Sequence, residues 1–136
     1  MNHALTVQLK AGDHGPMLKF ISTHLDQGRD PENRLAHARY LNQLLVHEDG
    51  QATILAGDMN ARPDSEVMDV LGTLWANPAA ATSPPIAPTG RPRPRADCVL
   101  TRPAESPRVI ESRIIDEPVA SDHRPLLVVL EWTGRR

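Results

Sequence analysis

Six of the chain's thirteen prolines fall in one interval, Asn77 to Arg95. Proline lacks the backbone donor that helix interiors and central strands require, so no long regular element crosses that interval. Its length exceeds that of an ordinary connection, and the segment 77–95 reads as a proline-rich functional or mobile loop. The chain is thereby divided into an upstream and a downstream part. At 136 residues the chain has the length of one ordinary domain, and it is read as one domain or part of one.

Upstream, Ala4 to Lys10 alternates apolar and polar residues, Ala11 to Gly15 supplies turn chemistry, and Met17 to Ser22 resumes the alternation. This pattern predicts a β-hairpin that delivers Thr23, His24 and Leu25 at a strand end. Asp30, Pro31 and Glu32 form a helix start: Asp caps, Pro suits the first helical position and Glu favours the positive end of the dipole. The stripe Leu35, Ala38, Leu41 and Leu45 predicts a helix to about Glu48, with Gly50 as terminator. Thr53 to Ala56 reads as a short buried strand ending in Gly57 and Asp58. A second helix opens at Asp64-Ser65-Glu66 and runs through Val67, Val70, Leu71, Leu74 and Trp75, weakened by Gly72. Downstream of the prolines, Asp97 to Thr101, Val109 to Asp116 and Leu126 to Trp132 read as strands. The order β-β-α-β-α-loop-β-β-β, without an internal repeat, predicts a layered α+β domain.

Composition removes several functions. Four aromatics, Phe20, Tyr40, Trp75 and Trp132, are too few for a platform that stacks successive unpaired bases. A formal net charge of −2 provides no global attraction for a phosphate backbone or an anionic membrane. Nucleic acid remains a candidate partner, but charge does not point to it. The single cysteine, Cys98, excludes a disulfide framework and a cysteine-built zinc site within one chain. The longest apolar run, Leu126 to Leu130, is far short of the roughly 20 residues that span a bilayer, and the first residues lack a signal-peptide core. Membrane insertion is therefore not expected, and a cytoplasmic location is.

Two polar clusters abut apolar runs: Gly57-Asp58-Met59-Asn60 after one strand, and Ser121-Asp122-His123-Arg124-Pro125 before another. Asp58, Asn60 and Asp122 offer hard oxygen donors, which suit Mg²⁺ or Mn²⁺ better than zinc. His24 and His123 offer proton transfer near neutral pH, and Asp97 is a carboxylate able to orient an imidazole. Taken singly, Asp58 and Asn60 also suit turn and cap positions, and His24 an ordinary strand end. Together the set fits phosphate-ester hydrolysis, which needs positive charge at the phosphoryl oxygens, a base for water and a donor for the leaving oxygen.

Four stretches in order make the sequence resemble the C-terminal half of the endonuclease/exonuclease/phosphatase superfamily, the deoxyribonuclease I-like fold. Thr23-His24-Leu25-Asp26 is similar to the family's "THL" block, followed by Arg34 on the next helix. Gly57 to Pro63 matches "GD-x-N-x-x-P", Arg95 to Leu100 resembles "R-I-D-Y-I-L" with Ala96 and Cys98 in place of Ile and Tyr, and Ser121 to Pro125 matches "SDHRP". The resemblance covers residues 4 to 132. It implies part of a layered α/β/β/α sandwich, residues 1–136 forming a partial domain, and a divalent-metal-dependent phosphoesterase acting on a phosphate-ester substrate. By position, Asp58 and Asn60 become groups that place phosphate and water at the metal, with Asp58 also argued to activate the nucleophile, and Asp122 becomes the metal-side carboxylate. His123, oriented by Asp97, becomes the general base or a phosphate-binding imidazole. His24 stabilises a phosphoryl oxygen or serves as the acid.

The family's N-terminal blocks, an early strand Asn and a "QE" Glu that ligates metal, have no counterpart in the sequence. A non-catalytic half-domain with a binding or regulatory role is therefore the alternative expectation. On either reading, the sheet built from Thr53 to Ala56 and Leu126 to Trp132 is expected to expose an apolar face or a pairing edge. Marginal stability, self-association or a need for a complementary N-terminal half would follow.

Overall fold

The computed structural model describes residues 4–10, 12–13, 15–44, 50–79, 97–103, 107–117 and 119–132. The segment 77–95 is thus described only at its first three positions, and Leu45 to Glu48 also lie outside the described residues. The elements follow the expected order: β1 (Ala4–Lys10), β2 (Met17–His24), α1 (Pro31–Gln43), β3 (Thr53–Asp58), α2 (Glu66–Gly72), β4 (Asp97–Arg102), β5 (Pro107–Ile114) and β6 (Leu126–Trp132). Among the described residues, no helix is long and apolar enough to cross a membrane.

Helix α1 starts as its sequence dictates: Asp30 is the N-cap, its carboxylate accepts the Glu32 N–H at 3.0 Å, and Pro31 occupies the first turn. It ends earlier than the expected Glu48, at a cap on Leu44. Within it Leu35, Ala38 and Leu41 are buried, and Leu44 at the cap is exposed. Helix α2 is likewise shorter than its apolar pattern. After Gly72 the chain leaves the helix in a tight turn that still returns the Trp75 N–H to the Leu71 carbonyl and buries the indole. Asn42 joins the helices: its amide donates to the Val70 carbonyl and the Thr73 hydroxyl, and its side-chain oxygen accepts from Trp75 Nε1.

Two sheets form, one four-stranded in the order β1-β2-β3-β4 and one a β5-β6 hairpin. Strand β3 pairs parallel with β2 and antiparallel with β4, so it is an interior strand. The expectation that Thr53 to Ala56 and Leu126 to Trp132 belong to one sheet is corrected: β3 is hydrogen-bonded on both sides within the four-stranded sheet, whereas β6 pairs with β5 in the other. Ile21, Leu55, Cys98 and Leu100 project toward the helices and join Leu35, Leu41, Leu71 and Trp75 in one core. The opposite face carries Leu5, Val7, Leu9, Phe20, Ile54 and Val99. On this face Leu5, Val7 and Leu9 of β1 are all open to solvent. The hairpin reaches this second face at its edge, where Leu126 and Pro125 meet Ala56 and Val99 around a recess.

One position tolerates no side chain. Gly57 has φ +149°, and a Cβ there would collide with the backbone carbonyl of Thr23, its register partner across the parallel pair. Gly57→Ala should therefore lower unfolding free energy by roughly 3 kcal/mol or more, a loss confined to strained or overpacked sites. Denaturant melts of the two proteins check this; a loss under about 1 kcal/mol would mean that β2 and β3 can separate locally at little cost.

Candidate active site

Strand register assembles the first part of the site. His24 lies opposite Asp58 across the β2–β3 pair, and Asp58 lies opposite Asp97 across the β3–β4 pair. Directly opposed residues point to the same side of a sheet, so the three side chains form a row across three strand ends. The row stands on the face away from the helices. There the Asp58 Oδ2 atom is 3.5 Å from His24 Nε2.

The second part comes from the loop before β6. His123 Nδ1 lies 2.8 Å from Asp97 Oδ2, and His123 Nε2 lies 3.9 Å from Asp58 Oδ2. Asp58 therefore stands between two imidazoles, while Asp97 orients one of them. Asp58, Asp97 and His123 form a group whose donor atoms all lie within 4.8 Å of one another. Asp122 is exposed and outside that group; it acts on His123 as a nearby negative charge. The structure thus brings together His24, Asp58, Asp97 and His123, with Asn60 bonded to them from behind and Asp122 at the rim.

Asn60 adopts φ +46°, a left-handed conformation that Asn accepts more readily than most residues. This turn lets its N–H donate to Asp58 Oδ1 at 2.8 Å and its side-chain amide donate to the Leu25 carbonyl at 2.8 Å. Asp58 is then held through Oδ1, with Oδ2 facing the histidines. The Leu25 N–H donates to the Asp58 carbonyl at 2.9 Å, continuing the ladder one step past the strand ends. Arg34, at the start of α1, donates to the Asp26 carbonyl at 3.2 Å and to the Gly28 carbonyl. These bonds fix the loop that follows His24. The residue the sequence reading left without a role is Gly57. Its signal was available, since a glycine inside a strand marks close backbone approach.

His123 stands among three carboxylates, those of Asp97, Asp58 and Asp122. Its hydrogen bond to Asp97 raises its pKa above the ordinary imidazole value; partial burial opposes this, and the charges of Asp97, Asp58 and Asp122 reinforce it. A raised folded pKa contributes stability that is fully present below the unfolded value, about 6.5, and is lost as pH rises through the folded value. The His123 side chain is 44% exposed, so the stability effect is small. The titration itself is the better measurement. By NMR, His123 should titrate above about 6.5, and Asp97→Asn should bring the midpoint down toward that value; an unchanged midpoint would show that Asp97 does not hold the proton on Nδ1.

No family model matches the sequence, and no curated protein matches it either. Solved structures do match its fold. An endonuclease/exonuclease/phosphatase from Bacteroides vulgatus aligns at TM-score 0.77 and 21% identity over 96% of this chain and 56% of its own. A Bacteroides thetaiotaomicron mannosyl-6-phosphatase aligns at TM-score 0.79 and 17% identity over 96% of this chain and 57% of its own. The human Nocturnin catalytic domain with bound sulfate aligns at TM-score 0.74 and 20% identity over 97% of this chain and 53% of its own. The chain spans a little over half the length of these structures. At such identities the likeness is one of fold, and that fold is the expected partial deoxyribonuclease I-like sandwich.

Proposed function

We propose that the chain carries the hydrolytic half of a divalent-metal-dependent phosphoesterase site. The observation that supports this most directly is the placement of His24, Asp58 and Asp97 in one row with His123 docked on Asp97. Four groups of the kinds that phosphoryl transfer to water requires converge there from four separate segments. The fold likeness to proteins named as phosphatases adds support.

The donors present suit a hard cation in part. Asp58 Oδ2 faces outward, and Asn60 keeps its side-chain oxygen available because the amide nitrogen makes the bond to Leu25. Asp58 and Asn60 would hold Mg²⁺ or Mn²⁺, which typically takes one or two carboxylates and completes its shell with water and substrate phosphate; Asp122, expected as a further ligand, stands outside the group of donors around Asp58. Bound there, the cation would supply positive charge against the phosphoryl oxygens.

The remaining work falls to the chain's own side chains. His123 with a proton on each nitrogen can bind or protonate a phosphoryl or leaving oxygen through Nε2, while Asp97 keeps the ring oriented from Nδ1. In its neutral form, with Nδ1–H held by Asp97, the same Nε2 accepts a proton from water. His24, with 65% of its side chain exposed, is placed to meet a phosphoryl oxygen from the other side of Asp58. An open recess of about 250 Å³, lined by Ala56, Val99, Pro125 and Leu126, adjoins the imidazole of His123.

A second reading, a non-catalytic half-site, is favoured by one feature: the Asp97 oxygen that could ligate a cation is engaged with His123. Calorimetry with Mg²⁺ and Mn²⁺ separates the two, since tight binding contradicts the half-site reading. For the hydrolytic reading, turnover of 4-nitrophenyl phosphate and bis(4-nitrophenyl) phosphate in Mg²⁺ or Mn²⁺ is expected, with His123→Ala lowering kcat by about a hundredfold or more. Absence of turnover on both esters, or full activity in the variant, would overturn it.

A further inference from the structure

We propose that β1 is a self-pairing edge: two copies of the chain join antiparallel through their β1 strands, about a twofold axis at Val7, into one continuous sheet with four strands from each copy. The proposal is independent of the phosphoesterase reading, because β1 carries none of the residues of the candidate site.

Strand β1 ends the four-stranded sheet, with β2 on one side and, among the described residues, no strand on the other. All seven of its residues are exposed. The N–H and C=O groups of alternate residues therefore point outward, as a template for a further strand. The other edges are guarded. The outer side of β4 is engaged at Thr101, which exchanges two backbone bonds of 2.9 Å with Ala76. Strand β5 carries Arg108, Glu111 and Arg113 and an irregularity between Val109 and Glu111, and β6 carries Glu131. Such charges and bulges are the usual devices that stop edges from pairing. Strand β1 lacks them: its pairing with β2 runs through all seven residues without a bulge, it contains no proline, and its single charge, Lys10, stands at its end.

Geometry and charge select a second copy as the occupant. The twofold axis that joins two like strands antiparallel, edge to edge, runs perpendicular to the sheet and keeps the same face of both copies on the same side. Centred on Val7, it sets Leu5 opposite Leu9, Thr6 opposite Gln8 and Val7 opposite its own counterpart, so apolar meets apolar and polar meets polar. Lys10 falls opposite Ala4, and the two lysines lie at opposite ends of the pair, so no like charges meet. Leu5, Val7 and Leu9 are 68%, 38% and 44% exposed and stand beside Ser22, Phe20 and Leu18 of β2. Across the junction the two stripes merge into one apolar band. Because the contact uses the same edge on both copies, it closes at a dimer.

The test is sedimentation equilibrium of the whole chain from micromolar to millimolar concentration. A monomer–dimer equilibrium is expected, with a dissociation constant on the order of 10–100 µM, as suits a small interface. Val7→Lys and Val7→Glu each set like charges against one another at the axis and should weaken the dimer by roughly tenfold or more, whereas an equimolar mixture of the two variants should pair again as a heterodimer. That recovery shows both variants to be folded. On the unsubstituted protein, hydrogen exchange at alternate β1 amides, those not bonded to β2, should slow as concentration rises, which needs no variant. A monomer at every concentration, open-ended association in place of a dimer, a dimer indifferent to both substitutions, or β1 exchange independent of concentration would overturn the proposal. None of these readings involves turnover, so they leave the phosphoesterase reading to its own test.

Discussion

The parallel pairing of β2 with β3 is the interaction on which the rest of the structure depends. It sets His24 beside Asp58, closes the path through α1, and makes β3 an interior strand able to accept β4 on its other side. The close approach is permitted by Gly57, where any side chain would strike Thr23. Without that contact the strand ends would not come level. A shift of one residue would turn Asp58 toward the helices and bring a neighbouring residue to the open face.

Charge placement follows from the same pairing. Three strand ends hold an imidazole and two carboxylates side by side, and a second imidazole arrives from the loop before β6. The two carboxylates share the His123 ring: Asp97 takes its Nδ1, while Asp58 takes the Asn60 amide on one oxygen and turns the other toward Nε2. The apolar residues of β3 and β4 lie directly beneath, so the polar row is supported by packed structure and opens only outward.

Much of the local structure was legible in the sequence. Strands β1 and β6 end where their alternating or apolar runs end, and α1 begins at the cap that Asp30, Pro31 and Glu32 announce. Helix ends were less legible, because a stripe such as Leu35, Ala38 and Leu41 marks the buried face of a helix and not its last turn. Register was not legible at all: nothing near His24 says that it will face Asp58, since that depends on the geometry of a parallel pair closed through a helix. The candidate residues were recognised from their chemical types and from a family resemblance. Their convergence, with Asp122 left at the rim, is a product of non-local pairing. The separation of β3 and β6 into two sheets was missed for the same reason.

The hairpin of β5 and β6 meets the rest of the molecule near one end, and the bond between His123 and Asp97 lies at that junction. Its docking and the integrity of the site are therefore one equilibrium. A ligand that requires His123 in place must also favour the docked hairpin, by the same free energy with which docking favours the ligand. Substitutions at the far end of β5 or β6 can then alter affinity without touching anything that binds, and the hairpin becomes a handle on the site as well as a piece of its wall.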